Sequence, residues 1–126
     1  MRESIVDLLW DKVEPVLYIS KDQFVDSLEG WEIEPLVVEG EIAFVILTRG
    51  PEFHFDSLRT GHKIPLSRIR ETIERLIATH GYAETRTPRE DFKQRRVNVL
   101  FGCERVGEDE YDIHYRLEKI GRRICR

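Results

Sequence analysis

The clearest pattern along the chain lies between residues 65 and 80. Leu66, Ile69, Ile73, Leu76 and Ile77 recur at three- and four-residue spacing, while Arg68, Arg70, Glu71, Glu74 and Arg75 fill the other side. That period predicts an amphipathic helix. Pro65 stands at the first-turn place where a missing N–H costs little. His80-Gly81 supplies a stop, and Glu71 with Arg75, four apart, forms a favourable pair. A second helical spacing, through Ile5, Leu8, Leu9, Val13, Val16 and Leu17, predicts an N-terminal amphipathic helix within residues 1–19. Pro15 is expected to end or kink it. Ser20-Lys-Asp-Gln23 reads as a capping box. It opens a short helix over 21–28 with Phe24, Val25 and Leu28 inward and Gly30 as its end.

Between and after these helices the period drops to two. Trp31–Val38 reads as a strand bent or interrupted at Pro35. In the next run Ile42, Phe44 and Ile46 share one face, and Ala43, Val45 and Leu47 the other. Both faces are apolar, so this strand is expected to be central and covered on both sides. After an Arg49-Gly50-Pro51 turn, Phe53 and Phe55 face one way while Glu52, His54 and Asp56 face the other. Two readings of that ionisable face stand side by side: a solvent-facing sheet edge, or the wall of an active site. A loop from Leu58 to Ile64 carries Gly61. Tyr82–Thr85 reads as a short strand. Thr87-Pro88 is expected to start a helix that turns Phe92, Val99 and Leu100 inward. The chain then runs Leu100-Phe-Gly-Cys-Glu-Arg-Val-Gly107, an acidic hairpin turn at 107–110, and a final stretch. There Tyr111, Ile113, Tyr115 and Leu117 alternate with Asp112, His114, Arg116 and Glu118, as in a half-buried antiparallel strand. The expected order is two helices, three strands, a helix, a strand, a helix and two strands. That is a mixed α/β (α+β) domain with a central, largely antiparallel twisted sheet and about four helices. The crossover between 52 and 85 should leave its two strands parallel.

Composition narrows the function. A length of 126 residues suits a single domain with one core. A net charge of −4 argues against a general nucleic-acid binder. No apolar run approaches the ~20 residues a bilayer requires. The acidic, amphipathic start does not read as a signal peptide, so a cytoplasmic setting is expected. Cys103 and Cys125 read as two free thiols of a reducing compartment. No Cys/His spacing has the form of a metal site. Gly121–Arg126 is expected to be a flexible, solvated tail.

The ending Leu100-Phe-Gly-Cys-Glu-Arg-Val-Gly107 followed by Tyr111-Asp-Ile-His-Tyr-Arg-Leu-Glu-Lys119 resembles the last strand–turn–strand of the GNAT N-acetyltransferase superfamily. The predicted element order matches that fold less its first strand. The resemblance implies acetyl-CoA as cofactor and an amine as acceptor. It places a phosphate-binding loop at Arg59-Thr-Gly-His-Lys-Ile-Pro65. Arg59, Gly61, His62, Lys63 and the amide of Leu66 are then the candidate cofactor contacts, with Arg68 nearby. The physical basis is that bare amides at a helix start hold anions. This loop carries Lys63 and Ile64 where the family has a second small residue, and an ordinary solvated strand-to-helix loop is the alternative. By position the candidate general base is Glu52 or His54, with Asp56 behind them. Asn98 stands where the family places a general-acid tyrosine. Cys103 stands where it has phenylalanine, and reads as a small buried residue, not a nucleophile. The chain also resembles small GNAT-like proteins of tailed bacteriophages that serve in virion head assembly. That second likeness implies a phage structural protein as partner, in the host-cell cytoplasm or the virion, with no catalysis. A third reading is a small α+β ligand-binding or toxin/antitoxin-like domain, which would not pair 41–48 beside 52–56.

Overall fold

The computed structural model describes residues 2–16, 18–59 and 61–118, and the expected tail at 121–126 lies outside them. Its elements are α1 (Arg2–Val13), a 3-10 turn (Glu14–Val16), α2 (Lys21–Ser27), β1 (Glu32–Val38), β2 (Glu41–Arg49) and β3 (Glu52–Ser57). These are followed by α3 (Leu66–His80), β4 (Ala83–Pro88), α4 (Phe92–Leu100), β5 (Glu104–Glu108) and β6 (Asp112–Leu117). The strands hydrogen-bond in the order β1-β2-β3-β4-β6-β5. β1 with β2, β4 with β6 and β5 with β6 are antiparallel, and β3 with β4 is parallel. The mixed α/β class, the mostly antiparallel six-stranded sheet and the four helices are as expected. β2 and β3 are neighbours, which removes the ground for the third reading. β3 lies between β2 and β4, so it is not a sheet edge.

The chain divides into two compact units, residues 1–49 with 55–63, and residues 50–54 with 64–126. In the first unit Ile5, Val6, Leu9, Phe24, Leu28, Val45 and Leu47 form one buried apolar cluster, against which Trp10, Trp31 and Ile33 pack. α1 ends at Val13, where Pro15 cannot donate to a further helical turn. The α2 capping box is present in both directions: Gln23 N–H donates to Ser20 Oγ at 3.1 Å, and Ser20 N–H to Gln23 Oε1 at 2.9 Å. Val25 is exposed, contrary to expectation. It follows Phe24 around the helix and so leaves the face that Phe24 and Leu28, four apart, share. Pro35 sits in β1, an edge strand, where a missing N–H can face outward. β1 also shifts register between Leu36 and Val37. β2 is buried continuously from Ala43 to Thr48, as its two apolar faces require.

In the second unit α3 buries Ile69, Thr72, Ile73 and Leu76. Thr72 settles its hydroxyl by donating to Arg68 O at 3.3 Å. Glu71 lies 3.6 Å from Arg68, not in the expected pair with Arg75. Gly81 closes the helix at φ 86°, the left-handed conformation that favours glycine. Two expectations fail next. Thr87 and Pro88 belong to β4, and α4 begins four residues later with Asp91 as its cap, accepting from Gln94 N–H at 3.1 Å. The helix is also turned differently: Phe92 and Val99 are exposed, while Val97, Asn98 and Phe101 are buried. The reason is tertiary. Thr87 is needed as a buried strand residue, and its hydroxyl receives the Asn98 amide at 2.8 Å.

Candidate functional site

β3 alternates as its sequence requires. Phe53 is buried, and Glu52, His54 and Asp56 are half-buried on the other face. Glu52 and His54, two residues apart, meet: His54 Nε2 lies 2.7 Å from Glu52 Oε2. A carboxylate can only accept, so the histidine nitrogen is the donor. Asp56 does not join them. Its carboxylate is bound by the Lys12 ammonium of α1, which also donates to Ser57 O at 2.5 Å. The three-residue ionisable face therefore resolves into a Glu–His pair and a separate lysine–aspartate pair.

Glu52 has further company that its own strand does not reveal. The parallel strands are registered with Glu52 opposite Glu84, and Glu84 N–H donates to Pro51 O at 2.9 Å. Arg86, two residues on, is registered opposite His114 of β6. Glu52, Glu84, Thr85, Arg86, Val106, His114 and Tyr115 line a small cavity of about 90 Å³. Glu84, Arg86 and His114 escape a reading of the sequence because register across β3, β4 and β6 assembles them. The one local hint is the alternation of His114 with Tyr115. His114 Nε2 donates to Asp109 Oδ2 at 2.8 Å, while Asp109 Oδ1 accepts the N–H groups of Tyr111 and Asp112 at 2.9 Å each. The amide of Asp112 first, then His114 and the amide of Tyr111, hold the Asp109 carboxyl well below the usual carboxylate range.

The loop after β3 belongs to the first unit as far as Lys63. Gly61 has φ 87°, and a Cβ there would meet nothing within 4 Å, so its glycine serves backbone shape and not close approach. Arg59 Nε and His62 Nε2 lie 3.8 and 3.7 Å from one oxygen of Glu41. Lys63 is exposed. In the second unit α3 starts without a side-chain cap. The Leu66 amide donates to Ile64 O at 2.9 Å, and the Arg68 amide to Pro65 O at 3.1 Å. Pro65 has no N–H. The residues thus suit an anion through the side chains Arg59, His62 and Lys63, and poorly through an amide cradle.

Asn98 is 1% exposed. Its Nδ2 donates to Thr87 Oγ1 and its Oδ1 accepts from Gln94 Nε2 at 3.1 Å. It holds α4 to β4 inside the unit. Cys103 is a free thiol whose pKa burial pushes up to about 12, which keeps it protonated and unreactive near neutral pH. Cys125 lies outside the described residues. Among the described residues no group of three or more His, Cys, Asp or Glu could hold a metal ion. No helix among them is long and apolar enough to cross a membrane.

No protein-family model matches the sequence. No curated protein matches it either. The structure is similar to the crystal structure of the N-acetyltransferase PseH from Campylobacter jejuni. The TM-score is 0.68 at 12% identity, over 91% of this chain and 89% of that one. At that identity the likeness speaks for the fold: the chain has a GNAT-like mixed α/β architecture.

Proposed function

We propose that the protein is a divergent acyl-CoA-dependent N-acyltransferase. The observation that carries the reading is the Glu52–His54 pair, half-buried on a strand inside the sheet and joined at 2.7 Å. Its support is the fold shared with an N-acetyltransferase. Bound acetyl-CoA would supply an acyl thioester, so that acyl thioester plus amine gives amide plus thiol. Glu52 is assigned as general base, accepting the proton that the acceptor ammonium must lose before its nitrogen can attack. His54 donates to the Glu52 carboxylate and fixes its direction, as an orienting partner does in other acid–base sites. Arg59, His62 and Lys63 are assigned to the cofactor's phosphates through charge-assisted hydrogen bonds. The test is turnover of acetyl-CoA with a panel of primary amines. Glu52→Gln should abolish the pH-dependent rate while leaving cofactor affinity unchanged. An unchanged turnover in Glu52→Gln removes Glu52 as the base.

A second reading rests on different observations. Glu41 faces Arg59 and His62, the Leu66 and Arg68 amides already have acceptors, and Asn98 is buried where an acid would stand. A GNAT-fold protein that serves virion head assembly without catalysis, held by a phage structural protein in the host cytoplasm, fits those features. Absence of any acetyl-CoA affinity, with stable co-purification of a capsid protein from infected cells, would favour it.

A further inference from the structure

The cavity beside Glu52 carries both signs of charge. Glu52 and Glu84 stand side by side at one end, registered across the parallel pair. Arg86 lies two residues farther along β4 on the same face, so its Cα is about 6.6 Å from that of Glu84. All three line the cavity. His114, registered opposite Arg86, completes the basic end. The Glu84 carboxylate and the Arg86 guanidinium have no side-chain hydrogen bond or ion pair among the described residues. Their neighbours are otherwise engaged: Arg116, opposite Glu84, lies over the Tyr82 ring at 4.0 Å, and His114 is held by Asp109. A volume of about 90 Å³ admits several waters or one small polar molecule. It is well below the several hundred Å³ of a pocket for a nucleotide or drug-sized ligand.

We infer that this cavity is the acceptor site and that the acceptor is a small aminocarboxylate. Resting on the acyltransferase reading, the inference supplies its substrate class. The ammonium lies at the Glu52–Glu84 end, where Glu52 also serves as its base. The carboxylate lies on Arg86, whose planar guanidinium suits a two-oxygen partner. A skeleton of one to three carbons between the two charges spans the two ends.

The probes are β-alanine, glycinamide as an amine without a carboxylate, and N-acetylglycine as a carboxylate without an amine. Each is titrated into the full chain and followed by backbone amide shifts in a two-dimensional nitrogen–proton NMR spectrum. The expected result is saturable β-alanine shifts at Glu84, Arg86 and His114, with each half-ligand weaker by about tenfold, the loss of one charge-assisted contact. Arg86→Gln should weaken β-alanine by about tenfold and leave glycinamide unchanged; Glu84→Gln should do the converse with N-acetylglycine. Both residues are exposed, so neither change threatens the fold. β-Alanine shifts that are absent, do not saturate, or survive both substitutions overturn the inference. Acetyl-CoA is titrated separately. Saturable β-alanine binding without cofactor affinity sinks acyl transfer and leaves the aminocarboxylate site standing. Cofactor affinity without β-alanine binding does the reverse.

Discussion

Replacing Asn98 tests whether its buried side chain is what holds α4 to β4. The side chain is 1% exposed and makes two side-chain bonds, to Thr87 Oγ1 at 2.8 Å and from Gln94 Nε2 at 3.1 Å. Asn98→Ala removes both. Gln94 is half-buried and can turn its amide to water, but Thr87 is also 1% exposed and cannot. Losing the bonds costs about 1 kcal/mol each, and stranding a buried hydroxyl adds about 1–3 kcal/mol, so a total of about 3–5 kcal/mol is expected. Thr87→Val alone strands the Asn98 amide and should cost about 1–3 kcal/mol. The double variant Asn98→Leu/Thr87→Val removes both partners at once and should be destabilised by less than the sum of its single variants. Asn98→Tyr, the side chain that the GNAT resemblance implies there, overpacks the site and should lower stability by about 1–3 kcal/mol or more without raising activity. Urea unfolding followed by circular dichroism reads all of these. An Asn98→Ala loss below about 0.5 kcal/mol, the range of ordinary surface changes, would refute the structural role, as would strict additivity in the double variant.

Three further outcomes are expected. Cys103 should resist iodoacetamide in the native protein at pH 8 and react on unfolding, because burial holds its thiol near 12; peptide mapping separates it from Cys125, and rapid native labelling would contradict the assignment. Asp109 has its carboxyl lowered by the Asp112 and Tyr111 amides and His114. Its contribution is therefore present above the ordinary aspartate range near pH 4 and is lost as pH falls through the lower folded value. The stability gap between wild type and Asp109→Asn should accordingly narrow on acidification from about pH 6, and a gap that widens would reverse the sign argument. Ile73→Ala, at a fully buried site in α3, should cost about 2–5 kcal/mol in the same urea assay, and a cost under 1 kcal/mol would mean that the stripe is not core.

What was legible in the chain was local. The α3 stripe, the twin apolar faces of β2 and the Ser20–Gln23 box each lie within one element and declare themselves by spacing. The pairing of Glu52 with His54 follows from a period of two on one strand. What stayed hidden depends on residues distant in sequence. Thr87 and Pro88 offer good helix-start chemistry, yet β4 claims them through pairing with Ile113 and Asp112, and the rotation of α4 follows from the Thr87–Asn98 bond. Lys12 removes Asp56 from the candidate site across 44 positions. Glu84, Arg86 and His114 reach the cavity through strand register, for which single strands give no signal.

The central claim is cofactor-dependent acyl transfer, and isothermal titration of acetyl-CoA at low salt tests it most directly. The account predicts saturable micromolar binding that weakens when Lys63 or Arg59 is replaced by alanine, since side chains and not amides would carry the phosphates. No heat and no thermal shift at millimolar acetyl-CoA would contradict it and leave a GNAT-like fold put to another use.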